Sequence, residues 1–144
     1  MREEPACILI CLWNPHNCVK GQHMAKGRGT ALVVDDAKDW RNELQEFLED
    51  EGFEVITVGD KASALQVLDS GAISLAIIDV NLADEMQNMD GLLLNRYIRE
   101  QALDIQVILI SARTLGANDL EKIQPTIFIE KSRIWEKLYP FLSQ

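Results

Sequence analysis

Ala31-Leu32-Val33-Val34-Asp35-Asp36 is a run of four apolar residues that stops at two carboxylates. A stretch this short and continuous has no polar face to turn to water, which is the pattern of a strand covered on both sides. The chain repeats that pattern. Lys38 to Asp50 carries Trp40, Leu44, Phe47 and Leu48 at helical spacing, and Gly52 closes the segment. Phe53 to Val58 predicts a second strand, and Asp60 can cap a helix through Leu65 and Leu68 to Gly71. Leu75 to Ile78 predicts a third strand ending at Asp79, followed by a polar loop from Asn81 to Asp90. Gly91 to Gln101 reads as a helix with Leu93, Leu94, Tyr97 and Ile98 inward, and Gln106 to Ile110 as a fourth strand ending at Ser111. A short helix from Asn118 to Ile123 precedes a fifth strand, Thr126 to Ile129, which ends at Glu130-Lys131. Ser132 is placed to cap a last helix with Ile134, Trp135, Leu138 and Phe141 as its apolar positions. Strands and helices alternate throughout, so the expected fold is α/β: a doubly wound five-stranded parallel sheet with helices on both faces.

The regular pattern occupies residues 29–144, and residues 1–28 read as an irregular N-terminal extension. The extension holds Cys7, Cys11, His16, Cys18 and His23. The Cys7-x3-Cys11 spacing loosely fits structural zinc, but no second knuckle follows it. The plainer reading is an unstructured leader, or an upstream translated stretch with a natural start at Met24. All three cysteines lie in this segment, so the domain itself is not built on disulfides and the expected location is cytoplasmic. The longest apolar run, Ala6 to Trp13, is far short of the roughly 20 residues that cross a bilayer. No membrane association is expected. Net charge is −9, all of the excess lying after residue 23, which disfavours nucleic acid as a partner.

In an open parallel sheet, ligands bind beyond the carboxyl ends of the strands, near the switch in strand order. The residues standing there are Asp35 and Asp36, Asp79, Ser111 and Lys131. Three carboxylates gathered on one rim repel one another, and a hard divalent cation such as Mg²⁺ resolves the conflict. Asp79 could attack a phosphoryl group, with Ser111 and Lys131 holding the oxygens of the transferring group. Each residue also has a plain reading. Asp35-Asp36 could simply cap the next helix, Ser111 could close a turn, Lys131 could be a surface lysine and Phe128 could be core.

Taken together and in order, Val33-Val34-Asp35-Asp36, Ile77-Ile78-Asp79, Met89-Asp90-Gly91, Ser111-Ala112 and Lys131 resemble the receiver domain of bacterial two-component response regulators, chemotaxis-regulator-like. The resemblance covers residues 30–144. It implies the flavodoxin-like (βα)5 fold with strand order 2-1-3-4-5. It implies Asp79 as acceptor of a phosphoryl group from a histidine kinase or phosphotransfer protein. It implies Mg²⁺ held by Asp35, Asp36, Asp79 and the backbone carbonyl of Asn81. Ser111 and Lys131 would hold the phosphoryl oxygens, and Ala112 would leave the site open. Ser111 and Phe128 would act as switch residues, read by a downstream protein partner on the face of helix four, strand five and helix five, where homodimers also form. Such a domain is not expected to be an enzyme beyond its own phosphotransfer and slow dephosphorylation, and no effector module is expected after helix five.

The chain departs from that family in four places. The loop from Asp79 to Gly91 is long and has no proline before Met89; Ser132 replaces the proline that usually follows the lysine; the helix-four region is short and carries Pro125; Phe128 has no hydroxyl. These departures motivate an alternative, a degenerate receiver that binds partners without phosphorylation. The complete acidic and lysine set argues against it. Mg²⁺ binding separates the two, and Trp40 is the expected fluorescent reporter. A third reading, a phosphatase resembling the haloacid dehalogenase class, needs an acid-base aspartate two residues past the nucleophile. Asn81 stands there and cannot transfer a proton.

Overall fold

The computed structural model describes residues 27–82, 88–123 and 126–142. The readings of the cysteine- and histidine-bearing leader and of Met24 fall outside the described residues. In chain order the elements are β1 (Thr30–Val34), α1 (Lys38–Asp50), β2 (Glu54–Val58), α2 (Lys61–Asp69), β3 (Leu75–Asp79), α3 (Asp90–Glu100), β4 (Gln106–Ser111), α4 (Ala117–Ile123), β5 (Ile127–Glu130) and α5 (Ile134–Leu142). A single 3-10 turn, Lys131–Arg133, joins β5 to α5. All five strands are parallel, in the order β2-β1-β3-β4-β5. This is the flavodoxin-like arrangement expected from the sequence.

Alternate residues of each strand feed two cores, as the pleat requires. One face carries Leu32, Ala76, Ile78 and Leu109 against Ala64 and Leu68 of α2 and Leu94 and Ile98 of α3. The other carries Val33, Ile77, Ile108 and Ile110 against Leu44 and Leu48 of α1 and Ile134, Leu138 and Leu142 of α5. The central strands are buried on both sides, which explains why they read as unbroken apolar runs.

Three expectations are corrected. Leu93 is 48% exposed, because the inward stripe of α3 runs Gly91, Leu94, Asn95, Ile98. Asn95 enters the core in its place by accepting a hydrogen bond from the Thr126 hydroxyl at 3.0 Å. Trp135 is 42% exposed, since α5 turns Ile134 and Leu138 inward and leaves its neighbour on the rim of the stripe. Ser132 caps nothing: it sits inside the 3-10 turn, whose N-terminal flank is Glu130. Asp60 does cap α2, accepting from Ser63 N–H at 2.7 Å.

The strand register sets the rim. Val34 lies beside Ile78, Asp79 beside Ile110, and Ser111 beside Glu130. Asp35, Asp79, Ser111 and Lys131 therefore emerge on one edge of the sheet, where the order reverses between β1 and β3. Gly91 closes the route from β3 into α3, its N–H donating to Val80 carbonyl at 2.9 Å. A Cβ at Gly91 would collide with the Asp79 carbonyl and come within 2.6 Å of Val80 Cα. Helix propensity alone favours alanine over glycine by about 1 kcal/mol. The collision reverses that sign, so Gly91→Ala is expected to lower stability by about 1–3 kcal/mol in urea denaturation. A rise in stability would contradict the close approach.

Candidate functional site at the carboxyl edge of the sheet

Asp35 and Asp79 are both buried, and each uses one oxygen to shape its own loop. Asp35 Oδ1 accepts from Ala37 N–H at 2.9 Å, and Asp79 Oδ1 from Asn81 N–H at 3.1 Å. The Asp35 side chain thus holds the turn before α1 instead of capping the helix. Arg41 steadies the same loop by donating to the Asp35 carbonyl at 2.8 Å. The second oxygens converge on one ammonium: Lys131 Nζ lies 2.7 Å from Asp35 Oδ2 and 3.0 Å from Asp79 Oδ2. The Lys131 side chain is only 8% exposed, so the surface-lysine reading fails.

Asp36 stands exposed beside this pair, and carboxylate oxygens of Asp35, Asp36 and Asp79 all lie within 4.8 Å of one another. Two like charges about 5 Å apart repel by about 3 kcal/mol at an effective dielectric near 20. Three carboxylates against one ammonium leave the cluster short of positive charge. The strain shows at Asp79, whose carboxyl is pushed up to about 6 by burial and by the Asp35 charge, with Lys131 pulling it back. At Lys131 burial acts to lower the ammonium's pKa, but the adjoining Asp35 and Asp79 carboxylates outweigh it and hold the group above its ordinary value.

The donors present are all oxygens, the set that suits Mg²⁺. Asp35 Oδ2 is in addition buried, with the Lys131 ammonium as its partner at 2.7 Å. Three carboxylates within 4.8 Å that share one ammonium fit a hard divalent cation, and Asp35, Asp36 and Asp79 are the side chains that could hold it. The Asn81 backbone is brought to the same place through its N–H on Asp79.

Ser111 is fully buried; its hydroxyl donates to Asn81 Oδ1 at 3.2 Å and accepts from Arg113 N–H at 3.1 Å. Ala112 is exposed at the mouth. Phe128 is half-buried, away from the acidic rim, and lines a cavity of about 440 Å³ with Leu115, Leu120 and Phe141 between α4, β5 and α5. The Thr114 hydroxyl donates to Glu130 at 2.8 Å, tying the loop after β4 to the end of β5.

Several residues of the site were not legible as such. The Asn81 side chain joins the network, its Nδ2 donating to the Asn88 carbonyl while its Oδ1 receives Ser111. Asn88 Oδ1 in turn accepts from Leu82 N–H at 2.9 Å and Asp90 N–H at 3.0 Å. Asn88 thereby closes the base of the long loop and keeps both its ends at the site. The only prior signal was the polar composition of that loop. Trp40, read as part of an apolar stripe, places its ring 4.9 Å from Lys131 Nζ.

The response regulator receiver domain family matches residues 31–131, most of the chain. The chain belongs to this family. Among curated relatives, the receiver is 36% identical over 92 residues to the aerobic respiration control protein ArcA of Escherichia coli (strain K12), covering 64% of this chain and 35% of that one. It is 38% identical over 85 residues to the sensor histidine kinase RcsC of Salmonella typhimurium, covering 59% of this chain and 8% of the relative. The chain thus spans about a third or less of the length of these relatives. Among solved structures, the receiver superimposes on response regulator TrrA from Thermotoga maritima, determined in complex with Mg²⁺-BeF. The TM-score is 0.66 at 31% identity, over 79% of this chain and 96% of that one. A CheY-like receiver domain from Methylobacillus flagellatus gives a TM-score of 0.64 at 25% identity, over 79% and 95%. Among the described residues of this receiver, no helix is long and apolar enough to cross a membrane.

The raised Asp79 carboxyl has a consequence for stability. Its folded pKa, about 6, lies above the ordinary value of 3.8, so between those values the folded state binds more protons than the unfolded. Stability then falls as pH rises through this window and gains as pH drops through it. In metal-free buffer the unfolding midpoint is expected to rise as pH is lowered from 7 toward about 4.5 relative to Asp79→Asn, which lacks the titrating group. Mg²⁺ is expected to raise the midpoint of the parent more at pH 8 than at pH 5. A parallel pH course for parent and Asp79→Asn would contradict the buried, strained carboxylate.

Proposed function

We propose that this receiver accepts a phosphoryl group on Asp79 from a phosphohistidine of a histidine kinase or phosphotransfer protein, and signals through protein contacts. The observation that carries the reading is the single buried ammonium of Lys131 shared by Asp35 and Asp79, with Asp36 completing an acidic set within 4.8 Å. In the transfer, an Asp79 carboxylate oxygen forms the new P–O bond as the donor's P–N bond breaks. The imidazole leaves with the electron pair and regains a proton from solvent. Later attack by water returns the carboxylate and inorganic phosphate.

The chain's own residues supply orientation and charge for these steps. At neutral pH Asp79 is largely ionised, so the nucleophile is available. Lys131 offsets the charge gathering on the phosphoryl oxygens. Ser111 offers its hydroxyl after releasing Asn81, and Ala112 leaves the approach open. Mg²⁺, bound through Asp35, Asp36, Asp79 and the Asn81 carbonyl, would supply the remaining positive charge that the acidic set lacks. Phe128 borders the cavity under α4 and can act on it only by its bulk. The downstream partner, or a second receiver, would read that face.

The short α4 and the apolar cavity beside it favour, as a second reading, a module that binds partners without phosphorylation. Intact mass after incubation with Mg²⁺ and acetyl phosphate separates the two. The expected result is one added phosphoryl group in the parent, none in Asp79→Asn, and none when a chelator is added first. A folded parent that gains nothing would leave the interaction module as the function.

A further inference from the structure

The Lys131 side chain leaves the end of β5 and brings its ammonium to Asp35 Oδ2 at 2.7 Å and Asp79 Oδ2 at 3.0 Å. A lysine reaches on a flexible four-carbon stem, so two carboxylates alone do not define where the ammonium rests. The same ammonium lies 4.9 Å from the centroid of the Trp40 ring. That is within the roughly 6 Å over which the negative face of an indole attracts a cation. The ring is itself supported. Trp135 of α5 stacks on Trp40 at 6.3 Å with 22° between the planes, and Phe47 of α1 packs against Trp135 at 5.4 Å. Lys131 is therefore nearly enclosed although Trp135 is exposed.

We propose that Trp40 is a positioning residue for Lys131: in contact with both the ammonium and Trp135, its indole holds the ammonium at the place where Asp79 takes up a phosphoryl group. The inference rests on the phosphoryl-accepting reading above. An aliphatic side chain at position 40 would still cover the edge of the α1 core, where Trp40 packs against the buried cluster. It would offer no negative face to the ammonium. An aromatic ring is thus required for positioning but not for packing, and this separates the two roles.

The test compares the parent with Trp40→Phe and Trp40→Leu by two readouts. The first is the ring-current displacement of the Lys131 ε-methylene protons in lysine-labelled protein, assigned through Lys131→Arg. The displacement is expected to be upfield in the parent, retained in part in Trp40→Phe and absent in Trp40→Leu. The second is the rate of phosphoryl uptake from acetyl phosphate with Mg²⁺. Trp40→Leu is expected to slow it about two- to thirtyfold, the span of a cation–π contact, with Trp40→Phe recovering most of the loss. An undisplaced Lys131 signal in the parent would overturn the proposal. So would a folded Trp40→Leu that matches the parent rate, or a Trp40→Phe as slow as Trp40→Leu. Should Trp40→Leu fail to fold, the parent and Trp40→Phe signals still decide. A parent that takes up no phosphoryl group would sink the phosphoryl-accepting reading, while the lysine signal would still judge the placement of Lys131.

Discussion

One ammonium between two buried carboxylates organises this molecule. Lys131 reaches Asp35 and Asp79 from the far side of the sheet's switch point, so β1, β3 and β5 must all end at matching heights for the contact to exist. The contact is not a cheap source of stability. Removing one partner of a buried ion pair typically costs about 3–5 kcal/mol, because the remaining charge is left unpaired, while replacing the whole set by apolar groups is often neutral or better. A charged cluster at the carboxyl edge of an otherwise aliphatic sheet is therefore weak as a source of stability.

The cluster is also under-neutralised. Asp36 adds a third carboxylate within 4.8 Å, Asp35 and Asp79 share one ammonium between them, and Asp79 is driven up to about 6. The imbalance suits a site that takes in a divalent cation, whose charge offsets the carboxylates that Lys131 leaves unbalanced. Contacts from the surrounding loops fix the geometry. Arg41 fastens the Asp35 turn, Gly91 lets α3 start against the Asp79 backbone, and Asn88 gathers both ends of the long loop.

Much of this was readable in advance because it depends on local pattern. β1, β3 and β4 are buried on both faces, so they show as unbroken apolar runs and their last residues mark the rim. The bounds of α1 and the cap at Asp60 follow from spacing and from a side chain that meets its own backbone. What escaped is set by rotation about a helix axis or by contacts across the fold. Leu93 and Trp135 sit one position off the inward stripes, a difference of about 100° that composition does not resolve. The Asn81 amide, the Asn88 clasp and the Trp40 ring owe their roles to neighbours that are distant in sequence or hidden in a loop without periodicity.

The most direct measurement locates the phosphoryl group chemically. Borohydride reduces an aspartyl phosphate to homoserine, so the protein treated with acetyl phosphate and Mg²⁺, then reduced and digested, carries the answer in one peptide. Homoserine at position 79, and at no other aspartate, is the predicted result. Homoserine at Asp35 or Asp36, or none at all in a protein that retains its fold, would contradict the assignment of Asp79 as the acceptor.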